Sequence, residues 1–289
     1  MSQSGRVVVS HGRHYSVADA SGHQWRATTR GKKSGVVCGD EVEITPQDDE
    51  NAVIERILPR HNLFYRSDAF KSKLIAANLD QIVIVVAPVP SFYPEFIDRC
   101  LIAAEAADTS SLIVYNKADL SAEAEAAWPR LAPYAELGYE ILRLSARQDS
   151  GPLLPYLANK NSLFIGQSGM GKSSLLNAII PAARAATRDI SAALDSGRHT
   201  TTHSELYLLP HGGSIIDSPG MQEFGLGHLS LQEIQRAFVE FRPYLGQCRF
   251  HNCRHDKEPG CAILQAAADG KIHPGRLATY RKLLKTYPV

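Results

Sequence analysis

Hydrophobic residues follow three different patterns along this sequence of 289 residues. Up to about residue 66, short runs of strand-forming residues are separated by turn residues, as at Gly39-Asp40. The runs are Arg6-Val7-Val8-Val9, Trp25-Arg26-Ala27-Thr28, Glu41-Val42-Glu43-Ile44 and Ala52-Val53-Ile54-Glu55. Several short strands in succession are typical of a small β-barrel, and an OB-fold is the natural candidate, although any small β domain fits the pattern.

The middle part of the chain alternates between continuous apolar runs and helical stretches. The apolar runs are 81–87, 111–115, 139–144, 162–165 and 214–216, and helices are predicted over 95–107 and 172–180. Unbroken apolar runs are typical of strands that are buried on both faces of a parallel sheet, with helices as crossovers. Ligands of such sheets bind at the carboxyl ends of the strands, and a polar motif directly follows each of the last four runs.

After Phe224 the pattern changes to a predicted helix over 231–241, a group of cysteines and histidines, and a basic helix over 274–285. The net charge of +1 divides into +1 for residues 1–66, −5 for 67–225 and +5 for 226–289. A basic end beside an acidic middle indicates a polyanionic partner, although a solvated surface fits it equally well. No apolar run approaches the roughly 18 residues of a membrane span, and the first residues lack a signal peptide, so we expect a cytoplasmic protein without membrane contact.

The most specific motif fits the phosphate-binding pattern G-x-x-x-x-G-K-[ST] and lies between an apolar strand and a helix. It is Gly166-Gln167-Ser168-Gly169-Met170-Gly171-Lys172-Ser173, followed by Ser174. Its glycines allow backbone N–H groups to surround phosphate oxygens, and the helix adds the partial charge of its N-terminus. The pattern places Lys172 to reach the β- and γ-phosphates and Ser173 to ligate Mg²⁺.

A second motif, Asn116-Lys117-Ala118-Asp119, follows the run that ends at Tyr115. The Asp119 carboxylate offers two acceptors that match the adjacent N1–H and N2–H donors of guanine, which adenine lacks. This favours GTP over ATP. Lys117 can cover the base plane with its stem, and Asn116 can brace the loops. A backbone N–H of Ser145-Ala146, which follows the next run, could donate to guanine O6.

Two more motifs concern the γ-phosphate and Mg²⁺. In Asp217-Ser218-Pro219-Gly220, the Asp217 carboxylate can hold Mg²⁺ through water and the Gly220 N–H can contact the γ-phosphate. Taken alone, this pattern is an ordinary turn. The stretch Gly197-Arg198-His199-Thr200-Thr201-Thr202-His203 offers threonine hydroxyls, one of which can complete the Mg²⁺ shell, and without the other motifs it would be a polar surface loop. The sequence does not choose among Thr200, Thr201 and Thr202.

The order of the five motifs is unusual. Common GTPases run from the P-loop through the threonine loop and D-x-x-G to N-K-x-D and S-A, whereas here the last two come first. A circular permutation explains this order, because it keeps each strand in place and moves only the chain ends. One result is that the segments sensing the γ-phosphate lead directly into the C-terminal part of the chain.

The cysteines and histidines near the C-terminus have the spacing Cys248-x4-Cys253-x-His255-x5-Cys261. In a cytosolic chain such a group favours a metal over disulfides. Three thiolates and one imidazole would fill a closed tetrahedral Zn²⁺ site, which is a structural rather than a catalytic arrangement. Reduced core cysteines are the alternative, and His251 competes with His255 as a ligand.

These residues resemble one family over nearly the whole chain. The matches are N-K-A-D at 116–119, G-Q-S-G-M-G-K-S-S at 166–174, G-R-H-T-T-T at 197–202, D-S-P-G at 217–220, the cysteine–histidine cluster with E-P-G-C at 258–261, Pro59-Arg60 and Asn62-Leu63. The sequence is similar to the circularly permuted ribosome-biogenesis GTPases that depend on the small ribosomal subunit (RsgA/YjeQ type). The resemblance implies an OB-fold barrel over 1–66, a circularly permuted P-loop GTPase domain of α/β class over 67–225, and a small helical zinc-binding domain over 226–289.

The same resemblance implies a function. A protein of this type binds GTP and GDP with Mg²⁺, carries one structural Zn²⁺, and binds the small ribosomal subunit and its rRNA during late maturation. It hydrolyses GTP to GDP and phosphate, stimulated by the subunit, and we expect a monomer. Two other functions fit the motifs: an RNA-binding assembly module that holds GTP as a static ligand, and a GTPase that acts on another polyanion or on a protein. An ATPase fits least because of Asp119.

The catalytic group is a separate hypothesis. Many GTPases place a glutamine just after D-x-x-G to orient the attacking water, but this sequence has Met221 there. The resemblance points instead to His199 in the threonine loop, which we expect to position or polarise the water once the ribosome orders the loop. A loop histidine that contacts RNA or solvent is the alternative, and His203 is a weaker candidate.

Overall fold

The structure is a computed structural model that describes residues 2–30, 35–67, 72–180, 204–210, 212–217 and 225–287. Its strands are β1 (Gln3–His11), β2 (His14–Asp19), β3 (Gln24–Thr29), β4 (Glu41–Pro46), β5 (Asn51–Ile57), β6 (Leu63–Ser67), β7 (Ser72–Ala77), β8 (Gln81–Val86), β9 (Ser110–Tyr115), β10 (Glu140–Arg143), β11 (Asn161–Ile165), β12 (Ser204–Leu208) and β13 (Ser214–Asp217). Its α-helices are α1 (Pro94–Ala106), α2 (Ser121–Ala127), α3 (Ala132–Glu136), α4 (Leu154–Leu157), α5 (Lys172–Ile179), α6 (Leu231–Ala237), α7 (Ala262–Ala268) and α8 (Pro274–Leu284). Short 3₁₀ turns lie at Trp128–Leu131, Gly151–Leu153 and Val239–Tyr244.

The first five strands form a closed barrel. β1 pairs with β2 and β4, β2 with β3, β3 with β5, and β5 with β4, so the ring has no free edge. Apolar side chains at alternating positions fill its interior, among them Val7, Val17 and Ile44. The OB-like barrel expected from the sequence is confirmed. Strand β2 was not predicted, because polar residues separate Tyr15 from Val17 and no apolar run results.

The six strands β8 to β13 form the central sheet in the order β10-β9-β8-β11-β13-β12. Every pairing is parallel except that of β12 with β13. All six residues of β8 are buried; the first is the polar Gln81 and the five that follow are apolar. Each predicted apolar run lies on one of these strands, and the predicted helices 95–107 and 172–180 correspond to α1 and α5. Strand β12, which pairs with β13 and β1, and the hairpin of β6 and β7 were not predicted.

Spatial order and chain order disagree in this sheet in the way that a circular permutation requires. Strands β8, β9 and β10 come first in the chain yet form one half of the sheet, while β11, β13 and β12 form the other half. The two halves meet where β8 pairs with β11. The P-loop strand β11 lies in the middle of the sheet and comes after β8, β9 and β10 along the chain, whereas in common GTPases the P-loop comes first.

The barrel and the central sheet are joined by backbone hydrogen bonding. Strand β1 pairs antiparallel with β12, with Val9 opposite Glu205 and Ser10 opposite Ser204. The buried thiol of Cys38 donates to the carbonyl oxygens of Val8 (3.3 Å) and Ser204 (3.0 Å) at the same junction. The barrel strands thus continue the sheet beyond its β12 edge.

The C-terminal part is helical. Its first helix, α6, begins with a capping box, in which Ser230 accepts from the Glu233 N–H and the Glu233 carboxylate accepts from the Ser230 N–H. The single helix predicted over 231–241 is wrong in its extent, because the backbone of Phe238 is extended (ψ 96°) and a 3₁₀ turn follows. The predicted helix over 274–285 is confirmed as α8.

Buried charge fastens the C-terminal part to α1. The Arg276 guanidinium of α8 donates to both carboxylate oxygens of Glu240 (2.7 and 3.0 Å) and to Asp98 of α1 (3.0 Å). The side chains of all three residues are at most 3% exposed. Removing one member of such a group leaves a buried charge without its partner, which costs about 3–5 kcal/mol. Among the described helices, none is long and apolar enough to cross a membrane.

Candidate nucleotide site and cysteine–histidine cluster

The predicted motifs converge on one edge of the central sheet. Gly166 follows β11, Asn116 follows β9, and Ser145 comes two residues after β10. Asp217 is the last residue of β13. Because these strands are parallel, their carboxyl ends lie at the same edge, and the four motifs meet there as the sequence predicted.

The P-loop turns tightly between β11 and α5. Gly171 has a φ of +93°, a conformation that side chains other than glycine rarely adopt, and a Cβ there would lie 2.3 Å from the Asn116 Nδ2 atom. Helix α5 begins at the next residue, Lys172, whose Nζ donates to the Gly166 carbonyl oxygen (2.8 Å). Ser168 and Gly169 are exposed on the loop, and Ser173 and Ser174 are exposed on the first turn of α5.

Asn116 links the P-loop to the S-A loop. Its Nδ2 donates to the Met170 carbonyl oxygen (3.0 Å), and its Oδ1 accepts from the Ala146 N–H (2.9 Å). The residue is only 1% exposed. This agrees with the predicted bracing role. It also shows that the Ala146 N–H, a candidate donor to guanine O6, already has a partner within the protein.

Lys117 and Asp119 are held by neighbouring groups. The Lys117 Nζ donates to the carbonyl oxygens of Val89 and Gly169, both at 2.6 Å. The Asp119 Oδ1 accepts from the Ser145 hydroxyl (2.6 Å), and this bond is the largest cause that lowers the pKa of Asp119. The sequence did not predict that Val89 holds Lys117, because the contact is made by a backbone carbonyl oxygen, which every residue has.

The charged groups on the phosphate side are desolvated. Burial raises the pKa of Asp217 to about 6, although the positive charge of Lys172 opposes the rise. Burial likewise lowers the pKa of Lys172, and the negative charge of Asp217 opposes that change. Burial disfavours the charged form of both Asp217 and Lys172. A Mg²⁺ ion near Asp217 and phosphate oxygens near Lys172 would favour the charged forms again.

The side chain of Gln167 faces the start of α1. Its Oε1 accepts from the Tyr93 N–H (3.1 Å), which ties the P-loop to the residue that precedes the helix. The remaining predicted residues lie outside the described part of the chain. They are His199, Thr200, Thr201, Thr202 and Gly220.

The four predicted ligands near the C-terminus come together. Atoms of Cys248, Cys253, His255 and Cys261 that could bind a metal all lie within 4.8 Å of one another. The His255 Nδ1 is 3.5 Å from the Cys248 Sγ and 3.3 Å from the Cys261 Sγ, and those two sulfurs are 3.9 Å apart. His251, the competing ligand, is exposed and does not belong to this group.

The geometry fits zinc. A tetrahedral site with Zn–S bonds of 2.3 Å and Zn–N bonds near 2.05 Å has edges of about 3.8 Å between sulfurs and about 3.6 Å between sulfur and nitrogen. The separations among Cys248, His255 and Cys261 are close to these values, and the Cys253 sulfur lies within 4.8 Å of the other three ligand atoms. The loop is shaped by Glu258, whose carboxylate accepts from the N–H groups of Arg254 (2.8 Å), Asp256 (2.9 Å) and Lys257 (3.0 Å). The residues present could therefore hold a metal ion.

Comparison with known proteins gives a consistent result. The sequence profile of the RsgA GTPase family matches residues 57–227. A protein of Nitrosospira multiformis named Small ribosomal subunit biogenesis GTPase RsgA is 53% identical over 280 residues, which cover 97% of this chain and 90% of that protein. A protein of the same name from Burkholderia pseudomallei (strain K96243) is 53% identical over 285 residues, with 97% and 91% coverage.

Two solved structures share the whole fold. YjeQ from Thermotoga maritima superimposes with a TM-score of 0.76 at 30% identity and covers 99% of this chain and 98% of its own. YloQ, described as a circularly permuted GTPase, gives a TM-score of 0.73 at 27% identity, with 100% and 97% coverage. Together with the sheet order and the converging motifs, these likenesses define a circularly permuted GTPase with an N-terminal barrel and a C-terminal cluster that could bind zinc. More particularly, the chain belongs to the RsgA GTPase family, which hydrolyses GTP and uses Mg²⁺ with the nucleotide.

Proposed function

We propose that this protein binds the small ribosomal subunit and its rRNA during late subunit maturation and hydrolyses GTP to GDP and phosphate there, stimulated by the subunit. The observation that carries the proposal is its near full-length similarity to proteins named for small-subunit biogenesis. The charge of +5 over residues 226–289 supports it, because basic surfaces bind the phosphates of RNA. We also propose that the protein acts in the cytoplasm as a monomer.

Three units would share this work. We propose a barrel unit over 1–66, a GTPase unit over 67–225 and a zinc-binding unit over 226–289. The barrel ends at Ile57, the central sheet begins at Gln81 and α6 begins at Leu231, which supports three units. The boundary at 66/67 falls within β6, which pairs with β7, so the hairpin lies between the first two units.

The base would be selected by the motif around Asp119. Its carboxylate accepts from guanine N1–H and N2–H, and the Ser145 hydrogen bond keeps it ionised for that purpose. Lys117 would cover the base plane, and Asn116 would hold the two loops in register. Adenine presents no matching donor pair, so GTP is preferred over ATP.

The phosphates would be held by the N–H groups of residues 166–174 and by the Lys172 ammonium. Ser173, one threonine of 200–202 and, through water, Asp217 would hold Mg²⁺, while the Gly220 N–H would contact the γ-phosphate. When bound, Mg²⁺ neutralises charge on the β- and γ-phosphates. His199 would orient the attacking water, since Met221 at the usual glutamine position cannot do so.

The test is GTP turnover with purified small subunits, with large subunits and with none. We expect about 10⁻⁴–10⁻³ s⁻¹ without subunits, as for unstimulated small GTPases, and a rise of at least tenfold with small subunits alone. A His199→Ala variant should lose most of the stimulation and keep its GTP affinity. If it keeps full stimulated turnover, the assignment of His199 is wrong.

The same experiment separates the other functions. A static RNA-binding module would bind the subunit equally well with GTP and with GDP. A GTPase that acts on another partner would show no stimulation by small subunits, and ATP competition would reveal a site that does not select guanine.

The cluster would hold one structural Zn²⁺ through Cys248, Cys253, His255 and Cys261. Because all four positions come from the protein, no site remains open for a substrate. Elemental analysis of the purified chain should find one zinc per molecule, and Cys261→Ser should lose it. A Cys38→Ser variant, which changes a cysteine outside the cluster, is the matched control and should keep its zinc.

A further inference from the structure

Tyr287 contacts the segment that follows the D-x-x-G motif. Its hydroxyl lies 3.1 Å from the Leu226 carbonyl oxygen and 3.0 Å from that of Leu229, so its single proton is shared between two acceptors. Leu226 and Leu229 are 3% and 8% exposed, which anchors this segment in the core. Residues 225–229 are the first described residues after β13, the strand that carries Asp217. The hydroxyl therefore holds the chain where it leaves the motif that would meet the γ-phosphate.

The other side of Tyr287 contacts the loop of the cysteine–histidine cluster. Its carbonyl oxygen accepts from the Arg254 guanidinium (2.6 Å), and Arg254 lies between the ligands Cys253 and His255. The Arg254 carbonyl oxygen accepts in turn from the Tyr280 hydroxyl (2.6 Å). Tyr287 thus stands one hydrogen bond from the cluster loop and one hydrogen bond from the segment after D-x-x-G.

The buried charges of Arg276, Glu240 and Asp98 serve a different purpose. Their ion pairs are with one another and fasten α8 to α1. Tyr287, in contrast, makes hydrogen bonds both to the segment after D-x-x-G and to the cluster loop.

We propose that Tyr287 is a positioning residue that couples the loop of the cysteine–histidine cluster to the segment leaving the D-x-x-G motif. Such coupling is reciprocal, so a nucleotide that alters the D-x-x-G segment alters the cluster loop, and a partner bound to the cluster loop alters the nucleotide site. The proposal rests on the proposed function only in taking D-x-x-G as the sensor of the γ-phosphate.

The test is hydrogen–deuterium exchange of the full zinc-loaded chain, with a non-hydrolysable GTP analogue and with GDP. In the wild-type protein, exchange over 248–261 should differ between the two nucleotides. Tyr287→Phe removes the hydroxyl and keeps the ring, and we expect the nucleotide-dependent ratio of exchange rates over 248–261 to shrink about three- to tenfold, the size of one lost hydrogen bond. Tyr156→Phe, which loses an exposed bond to Glu140 (3.0 Å), should leave the ratio unchanged.

A second variant tests the other step of the link. Arg254→Gln has too short a side chain to reach the Tyr287 carbonyl oxygen and should shrink the same ratio. The double variant should lose no more than either single variant, because two steps in series are broken by breaking one. Zinc content and GTP affinity are measured for every variant, and both should equal the wild-type values if the loss belongs to coupling.

Two results would overturn the proposal: exchange over 248–261 that does not depend on the nucleotide in the wild-type protein, or a Tyr287→Phe variant that keeps the full dependence. The assay contains no ribosomal subunit. A failure of the coupling is thus distinct from a failure of the proposed function, which the turnover measurement with subunits reveals.

Discussion

The base side and the phosphate side of the nucleotide site differ in whether the protein favours the charged or the neutral form of its ionisable groups. On the base side, Asn116, Lys117 and Asp119 all have partners within the protein, and hydrogen bonding lowers the pKa of Asp119. On the phosphate side, Lys172 and Asp217 are desolvated, and the pKa of each moves toward its neutral form. The Lys172 Nζ also has a partner within the protein, the Gly166 carbonyl oxygen. The two sides therefore differ in the charge state that their surroundings favour, and a charged ligand changes the phosphate side more.

This difference assigns separate tasks to the two sides. A preorganised base side selects guanine with little reorganisation, so its contribution is specificity. The phosphate side gains most when Mg²⁺ and phosphate replace the lost water, so its contribution is affinity and sensitivity to the state of the nucleotide. Three changes can break or sharpen the contrast, and the effects we expect decrease from the first to the last.

Lys172→Met should have the largest effect. It keeps the apolar stem but removes the buried charge that meets the phosphates, so GTP and GDP should both bind about 30- to 1,000-fold more weakly, as for other buried charge pairs. Affinity is measured by titration calorimetry. Lys160→Met is the matched control. Lys160 precedes β11 at its amino end, opposite the edge that carries the P-loop, and should not contact the nucleotide. Equal affinities in the Lys172 variant and the wild-type protein would contradict an affinity role for the phosphate side.

Asp119→Asn should change specificity rather than affinity for phosphate. The amide offers one donor and one acceptor, which match the C2 carbonyl and N1–H of xanthine instead of the two donors of guanine. We expect GTP to weaken and XTP to strengthen by about 5- to 150-fold each, the value of one bidentate pair. Competition binding measures both. The control is Asp108→Asn, which changes an exposed residue before β9 at the opposite edge of the sheet and should leave the preference for GTP intact. If Asp119→Asn weakens the binding of both GTP and XTP, Asp119 has a structural role instead.

The smallest effect concerns pH. Because the pKa of Asp217 is about 6, a fall from pH 7 to pH 5 protonates most of this carboxyl, and Mg²⁺-dependent GTP affinity should fall about tenfold. The sign for stability is opposite. A carboxyl whose pKa is raised by folding contributes stability below its unfolded value near 3.8, and this contribution is lost as the pH rises through about 6.

Asp217→Asn provides the control for this titration. Its amide does not titrate, so any pH dependence that remains belongs to the nucleotide phosphates or to other groups. The difference between the two curves isolates Asp217. Identical curves for the variant and the wild-type protein would show that the carboxyl does not help to hold Mg²⁺.

The sequence predicted the strands with unbroken apolar runs better than the strands and helices of mixed composition. The apolar runs before Asn116 and Gly166 were recognised because a strand buried on both faces has no polar residue to interrupt it. Strand β2 was missed because Ser16 interrupts its apolar residues, and β12 was missed because it begins with the polar residues Ser204 and Glu205. The helix predicted over 231–241 was too long, since the backbone is extended at Phe238, whose ring packs against Phe241 and Tyr280.

The cluster ligands and the base motif were predicted from the sequence, but the residues that hold them in position through backbone hydrogen bonds were not. Glu258 shapes the cluster loop through backbone N–H groups, and Val89 holds Lys117 through a carbonyl oxygen. Backbone groups are the same at every residue, so a sequence carries no sign of which ones a side chain will meet. The nucleotide-binding roles of the P-loop residues, and those of His199 and the threonines, stay predictions.

The sequence by itself determined the class of protein and the chemistry of its motifs, because each motif is contiguous and its residue types contain the chemistry. Only the tertiary structure decided which distant residues meet. It joins β1 to β12, places Asp98 against Arg276 across 178 positions, and sets Tyr287 against Leu229 across 58. Such contacts depend on how helices and strands pack against one another. The residues that meet are far apart in the sequence, so no local pattern identifies them.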